Sequence, residues 1–334
     1  MSLSLADRLT GCLLGQAVGD AVGFVVEGAP PEDASKYIEA WVRCGRANQR
    51  CRPPFSFGQY SDDTQLAREL LLVFQETGGI DSALFALRVA ELFRCGGAVG
   101  AGPGTCAAAE RLLAGGSWKD APTPAPYAGN GAAMRAGPLG LLARDGDELV
   151  RLVRAASCVT HGDPRCVAGA VAVAGAVALA DDYVAGDREA FLTELAALVG
   201  RVDRPFAEAI GGLVHWGGLA PAAALTELHW LRLDPDAAPH WRGITGHVMP
   251  SVLWSLYAFL RAPDDYAEAT WTAIATGGDT DTTGAMTGAM AGARLGPSAL
   301  PEALVRGLND RGQWDAGALS ALARACAAKV EQAN

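Results

Sequence analysis

From residue 5 onward, apolar side chains recur at intervals of three and four, and the pattern restarts after each short polar or Gly/Pro-rich break. That period belongs to helices burying one face. It predicts helices over residues 5–25, 64–76, 82–93, 105–113, 134–143, 147–156, 164–180 and 188–199, then over 205–213, 221–230, 249–260, 266–275, 283–295, 301–308 and 318–329. Ser4 stands where an N-cap belongs for the first, and Gly78-Gly79 ends the one over 64–76. No alternating run is long enough for a convincing strand. The Pro/Gly-rich loops around 96–104 and 121–131 are too short and too central to separate domains. The expectation is one compact all-α multi-helix domain over 1–334.

Two helices carry an unusual stripe. Glycines stand at 11, 15, 19 and 23 in the first, and at 284, 288, 292 and 296 near the C-terminus. A spacing of four puts each row on one face, at about 1 kcal/mol of lost helix propensity per glycine. Two such rows suggest that the helices pack backbone to backbone, bringing the residues at their ends into one cleft. Close packing without a functional consequence is the alternative.

Composition narrows the function classes. Half of the 334 residues are hydrophobic, 19% are charged, and the formal net charge is -10. A large core is available, and general affinity for nucleic acid or anionic membrane is disfavoured. The eight cysteines form no C-x-x-C pair, so zinc and dithiol chemistry gain no support. The N-terminus lacks the pattern of an export signal. Free thiols and a cytoplasmic location are expected. The most lipid-like run, 166–180, is short for a membrane span and reads as a buried helix.

The candidate chemistry lies in two acidic turns. Ser61-Asp62-Asp63-Thr64 precedes one apolar helical run, and Gly277-Gly278-Asp279-Thr280-Asp281-Thr282 precedes another. Helix capping explains part of each cluster. It does not require both members of an acidic pair, and adjacent carboxylates repel unless a cation sits between them. Together the turns supply up to four carboxylates and several hydroxyls, the hard oxygen donors that Mg²⁺ or Mn²⁺ takes. Shared carboxylates suit two cations. The Gly-rich stretch before the helix at 105 presents backbone N–H groups suited to phosphate, with Gly102, Gly104 and Thr105 as candidates. Asp20, among small residues of the first helix, is expected to orient ligands rather than bind metal itself.

Five segments, in order, resemble the ADP-ribosylglycohydrolase family. They are Gly11 to Gly23 (GCLLGQAVGDAVG), Ser61-Asp62-Asp63, Gly129-Asn130-Gly131-Ala132-Ala133-Met134-Arg135, Thr160-His161 and Asp279-x-Asp281-Thr282. The resemblance implies an all-α fold with a dinuclear metal site in a central cleft. It implies two Mg²⁺ (or Mn²⁺) held by Ser61, Asp62, Asp63, Asp279, Asp281 and Thr282. It also implies ADP-ribose contacts from Tyr127, Gly129, Asn130 and His161, and catalytic roles for Glu27, on a mobile flap, together with Asp62 and Asp281. The implied reaction is hydrolysis of the bond between ADP-ribose and a modified protein side chain or a related small compound. Such a bond breaks through a cationic sugar, which nearby carboxylates stabilise.

Ser61 stands where many members have Thr, and either supplies one oxygen. The 96–104 loop has no acidic residue, which weakens an arginine-linked substrate. Residues 28–58, the flap region, name no substrate. A different class of reading is an immunity or binding protein that neutralises an ADP-ribosyltransferase partly by contact. A dinuclear phosphohydrolase is a weaker enzyme alternative, and the intact ligand set argues against an inactive relative. The chain is expected to be a monomer. The tryptophans of 216–241 could shape the cleft rim or a partner face.

Overall fold

Ser4 starts the first helix by accepting the Asp7 N–H at 3.0 Å. In the computed structural model, which describes residues 3–183, 187–234 and 242–333, the helices are α1 (Leu5–Phe24), α2 (Pro31–Tyr37), α3 (Asp62–Thr77), α4 (Ser82–Arg94), α5 (Pro103–Leu113), α6 (Gly146–Ser157), α7 (Pro164–Leu179), α8 (Arg188–Val199), α9 (Arg204–Gly212), α10 (Pro221–Trp230), α11 (Val248–Arg261), α12 (Tyr266–Ile274), α13 (Thr280–Leu295), α14 (Glu302–Gly307) and α15 (Ala316–Ala333). Among the described residues there is no strand, only isolated bridges such as Gly129 with His247 and Ile244 with Gly278. The all-α expectation therefore holds. No described helix is long and apolar enough to cross a membrane.

The glycine rows form the centre of the molecule. A Cβ on Gly11 would strike the Gly292 carbonyl oxygen, one on Gly15 that of Gly288, and one on Gly19 that of Gly284. The numbers fall on one helix as they rise on the other, so α1 and α13 run antiparallel with their backbones in contact. Both are buried nearly all round, α1 from Leu9 to Phe24 and α13 from Thr280 to Ala293. Such a helix cannot show a polar face, because every side meets protein. At the seam's end, Thr280 Oγ1 donates to the Gly23 carbonyl at 2.8 Å. The last turn of α1 thereby lies beside the first turn of α13.

Two segments differ from expectation. Residues 134–143 form turns and a short 3₁₀ segment, Gly137–Leu141, rather than an α-helix. Pro138 lacks an N–H, and Gly140 packs so closely that a Cβ there would strike the Ala174 carbonyl of α7. Within the proline-bearing flap, α2 was not anticipated. Its signal is Pro31 at the first helical position, followed by Glu32 and Asp33 in the first turn. Helices α3 and α13 also start earlier than the apolar pattern suggests, at Asp62 and Thr280. Both acidic clusters consequently lie in first turns.

Candidate active site

The seam delivers its residues to a single cavity. Glu27, Asp62, Asp63, Gly102, Gly104, Thr105, Tyr127, Asn130, His161, Asp279, Asp281 and Thr282 all line it, a space of about 250 Å³. Ser61 and Gly129 stand behind the lining, each next to residues that face the cavity.

The first acidic turn is tied down from beneath. Asp20, fully buried on α1, accepts the Ser61 N–H at 2.8 Å through Oδ1. Through Oδ2 it accepts the Thr64 N–H at 3.0 Å and the Thr64 hydroxyl at 2.6 Å. Asp20 therefore supports the turn and is not among the residues that line the cavity. Ser61 is the N-cap, with its Oγ accepting the Asp63 N–H and donating to Asp63 Oδ2 at 2.9 Å. Gln16 donates to the Asp63 carbonyl at 3.0 Å. The 96–104 loop is fastened alongside, since the Asp62 N–H donates to the Val99 carbonyl and Gln65 bridges Val99 and Gly97.

The second acidic turn threads between two other segments. Gly277 and Gly278 both have positive φ, 76° and 84°. The Gly278 carbonyl accepts the Gly28 N–H, its N–H donates to Ala29, and Asp279 N–H donates to Ile244. A Cβ on Gly278 would strike Ile244, so only glycine fits. Asp279 occupies the N-cap position of α13 yet makes no capping bond. Instead its Oδ2 accepts from Asn130 Nδ2 at 2.6 Å. Asn130 is itself held by Ser251 Oγ at 3.2 Å and by the Gly246 carbonyl. This ties the 129–135 segment to the acidic turn.

Glu27 follows α1 beside the second acidic turn and forms an ion pair with Arg52 of the flap. Arg52 also donates to the Phe24 carbonyl at 3.3 Å and lies over the Phe24 ring. At the cavity wall, α5 has Gly102 at its N-cap position and no side-chain cap. Pro103 has no N–H, and the Gly104 N–H is taken by the Tyr127 hydroxyl at 3.1 Å. The helix start thus presents fewer open donors to an anion than the glycine pattern alone suggests. His161 Nδ1 lies 2.8 Å from the Thr160 hydroxyl. That hydroxyl accepts from buried Arg135 at 2.6 Å.

Electrostatics sets this cavity apart. Burial holds the Asp62, Asp63 and Asp281 carboxyls well above the usual carboxylate range, and their acidic neighbours push them further. Asp279 is raised by burial, against the Asn130 hydrogen bond. Burial also raises Glu27, opposed by Arg52. Burial lowers His161 to about 3, aided by the Arg135 charge, so the ring is neutral.

Asp62 Oδ2 and Asp63 Oδ1 are buried with no hydrogen-bond partner. A buried polar atom in that state is costly and rare. A divalent cation would satisfy both oxygens and relieve the repulsion, so the donor chemistry fits a hard metal ion. Among the described residues, no three His, Cys, Asp or Glu side chains are already drawn together as a finished cage. A cation would have to gather donors that now line a cavity wall, with hydroxyls from Ser61 and Thr282 completing the set.

Sequence reasoning missed Arg52, which has no periodic or motif signal, and the lining residues Gly100 and Gly246. Gly100 had a partial signal, the glycine-rich loop, and it takes positive φ against Ser61 and Asp62. Among the described residues, no tryptophan lines the cavity. Trp216 is buried edge-on to Tyr257, Trp230 is exposed, and Trp241 and His240 lie outside the described residues. His247 caps α11.

The seam between α1 and α13 thus brings the oxygen-rich first turns of α3 and α13 to one glycine-lined cleft. The chain matches the ADP-ribosylglycohydrolase family over residues 1–333, and it belongs to that family. A solved structure described as an ADP-ribosylglycohydrolase-related protein complex superposes with a TM-score of 0.69 at 29% identity, covering 98% of this chain and 99% of the other. An uncharacterised protein of Archaeoglobus fulgidus is 29% identical over 286 residues, 84% of this chain and 86% of its own length. The uncharacterised protein YegU of Escherichia coli K12 is 31% identical over 185 residues, 53% of this chain and 54% of its own.

Proposed function

We propose that this chain is a divalent-metal-dependent hydrolase that cleaves the glycosidic bond between ADP-ribose and a modified protein side chain or related acceptor. Family membership supports the class of linkage. The observation that carries the metal reading is the pair of orphaned carboxylate oxygens on Asp62 and Asp63, in the same cavity as Asp279, Asp281 and Thr282. Ser61, Asp62, Asp63, Asp279, Asp281 and Thr282 would hold two Mg²⁺ or Mn²⁺ ions. Bound there, the ions would orient the ribose hydroxyls and activate water.

The remaining roles fall to side chains. The wall of Gly102, Gly104, Thr105 and Tyr127, with Gly129 behind it, is assigned to the diphosphate and its ribose. Asn130 holds Asp279 in place. Neutral His161 can accept or donate one hydrogen bond to the nucleotide without adding charge. Glu27 would move a proton at the anomeric centre, and its raised proton affinity supports that role. Asp62 and Asp281 stabilise the cationic sugar as the bond breaks.

The test is incubation with a panel of ADP-ribosylated substrates, with and without chelator, scoring free ADP-ribose. Metal-dependent release that Glu27→Gln and Asp62→Ala abolish supports the proposal. Release of phosphate instead would identify a phosphohydrolase. Protection against an ADP-ribosyltransferase that survives Asp62→Ala would identify the contact-based alternative.

A further inference from the structure

A chain with net charge -10 carries four arginines within ten residues of its flap, at 43, 46, 50 and 52. One of them begins a ladder beside the cleft mouth. The Arg52 guanidinium lies 4.7 Å from the Phe24 ring centroid. Phe24 and Phe55 are 5.6 Å apart, and the Arg311 guanidinium lies 5.8 Å from Phe55. Phe24 packs against Gly100, which lines the cavity, and Arg311 donates to the Gly96 carbonyl at the root of the same loop. The order is cation, ring, ring, cation, leading away from Glu27.

The acids on neighbouring turns are already engaged. Glu27 pairs with Arg52, and buried Asp310 pairs with Arg68 and accepts from Gln59 and Gln65. Arg311 is exposed beside an aromatic face and makes no ion pair among the described residues. A planar guanidinium backed by a ring is suited to carboxylate recognition.

We propose that this ladder is the acceptor-side docking surface, and that it selects a peptide acceptor with Asp or Glu flanking the modified residue. The proposal rests on the hydrolase reading above. A nucleic-acid acceptor fits less well, because polyanion binding needs an extended basic surface and the overall charge is acidic.

The experiment titrates fluorescent unmodified peptides, with acidic or basic residues around a central serine, into the protein at low salt. The serine-ADP-ribosylated versions are assayed in parallel. The acidic peptide is expected to bind and turn over about fivefold better than the basic one, from one or two exposed charge pairs. Arg311→Gln should bring the ratio close to one, Arg311→Lys should restore it, and hydrolysis of a small ADP-ribosyl compound should be unchanged in both. Equal binding of the peptides, or a preference that persists in Arg311→Gln, overturns the proposal. So does tighter binding of a single-stranded oligonucleotide than of the acidic peptide. Because unmodified peptides report on docking alone, loss of all hydrolysis with the binding preference intact would count against the reaction and support the surface.

Discussion

Replacing Gly288 by alanine should damage the molecule far more than a single methyl group suggests. In a solvent-exposed helix the change would stabilise by about 1 kcal/mol, because glycine is the poorer helix former. Here the new Cβ would strike the Gly15 carbonyl oxygen and lie 2.9 Å from its carbon. It would also sit 3.2 Å from the Tyr266 hydroxyl, which donates to that same carbonyl at 2.7 Å. Backbone cannot swing aside as a side chain can, so α1 and α13 must separate. Overpacking of this kind costs about 1–3 kcal/mol, and disturbing the Tyr266 bond adds about 1 kcal/mol. After the propensity gain, a net loss of about 1–3 kcal/mol remains. Gly211 in α9 is the control, since a Cβ there meets nothing within 4 Å. Urea unfolding should show Gly288→Ala with a clearly lower midpoint and Gly211→Ala with an equal or higher one. If Gly288→Ala matched or exceeded the parent, the backbone-to-backbone seam would be wrong.

Other expectations follow from the site. Asp20→Asn places an amide N–H or a rotated oxygen against the three donors from Ser61 and Thr64, and should cost about 1–3 kcal/mol. Thermal unfolding checks the loss, and the metal response should weaken with it because the 61–64 turn loosens. His161 gives a pH signature. Its folded pKa of about 3 lies below the ordinary 6.5. The unfolded chain therefore takes up a proton that the native state refuses, and stability falls as pH drops below 6.5. Asp20, raised to about 6 by burial, works in the opposite sense. Comparison with His161→Gln isolates the histidine, and the parent should lose about 2 kcal/mol more than the variant between pH 7 and pH 5. Equal slopes would contradict a neutral buried ring.

Much of this was legible in the chain because it rests on short-range regularities. A four-residue glycine period states both that a helix is present and that something packs on it closely. The antiparallel pairing of the two rows places residues 27 and 279–282 together, although some 250 positions separate them. What the sequence could not show lies in tertiary choices. Residues 134–143 have a helical apolar count, yet Pro138 and the close approach of Gly140 to α7 convert them to turns. The Gly104 N–H looked open to phosphate until the Tyr127 hydroxyl, 23 positions away, was found on it. Arg52 sits between a cysteine and two prolines, where no pattern announces its hold on Glu27.

The central claim is that Asp62 and Asp63 on one side, and Asp279 and Asp281 on the other, form one divalent-cation site. Calorimetric titration of Mg²⁺ and Mn²⁺ into chelator-stripped protein tests it most directly. The expected result is saturable binding of two ions, with thermal stabilisation approaching about 2.7 kcal/mol per ion at a hundredfold excess over Kd, and with both effects lost in Asp62→Asn and in Asp281→Asn. Absence of binding in the parent, or undiminished binding when either aspartate is replaced, would contradict the account.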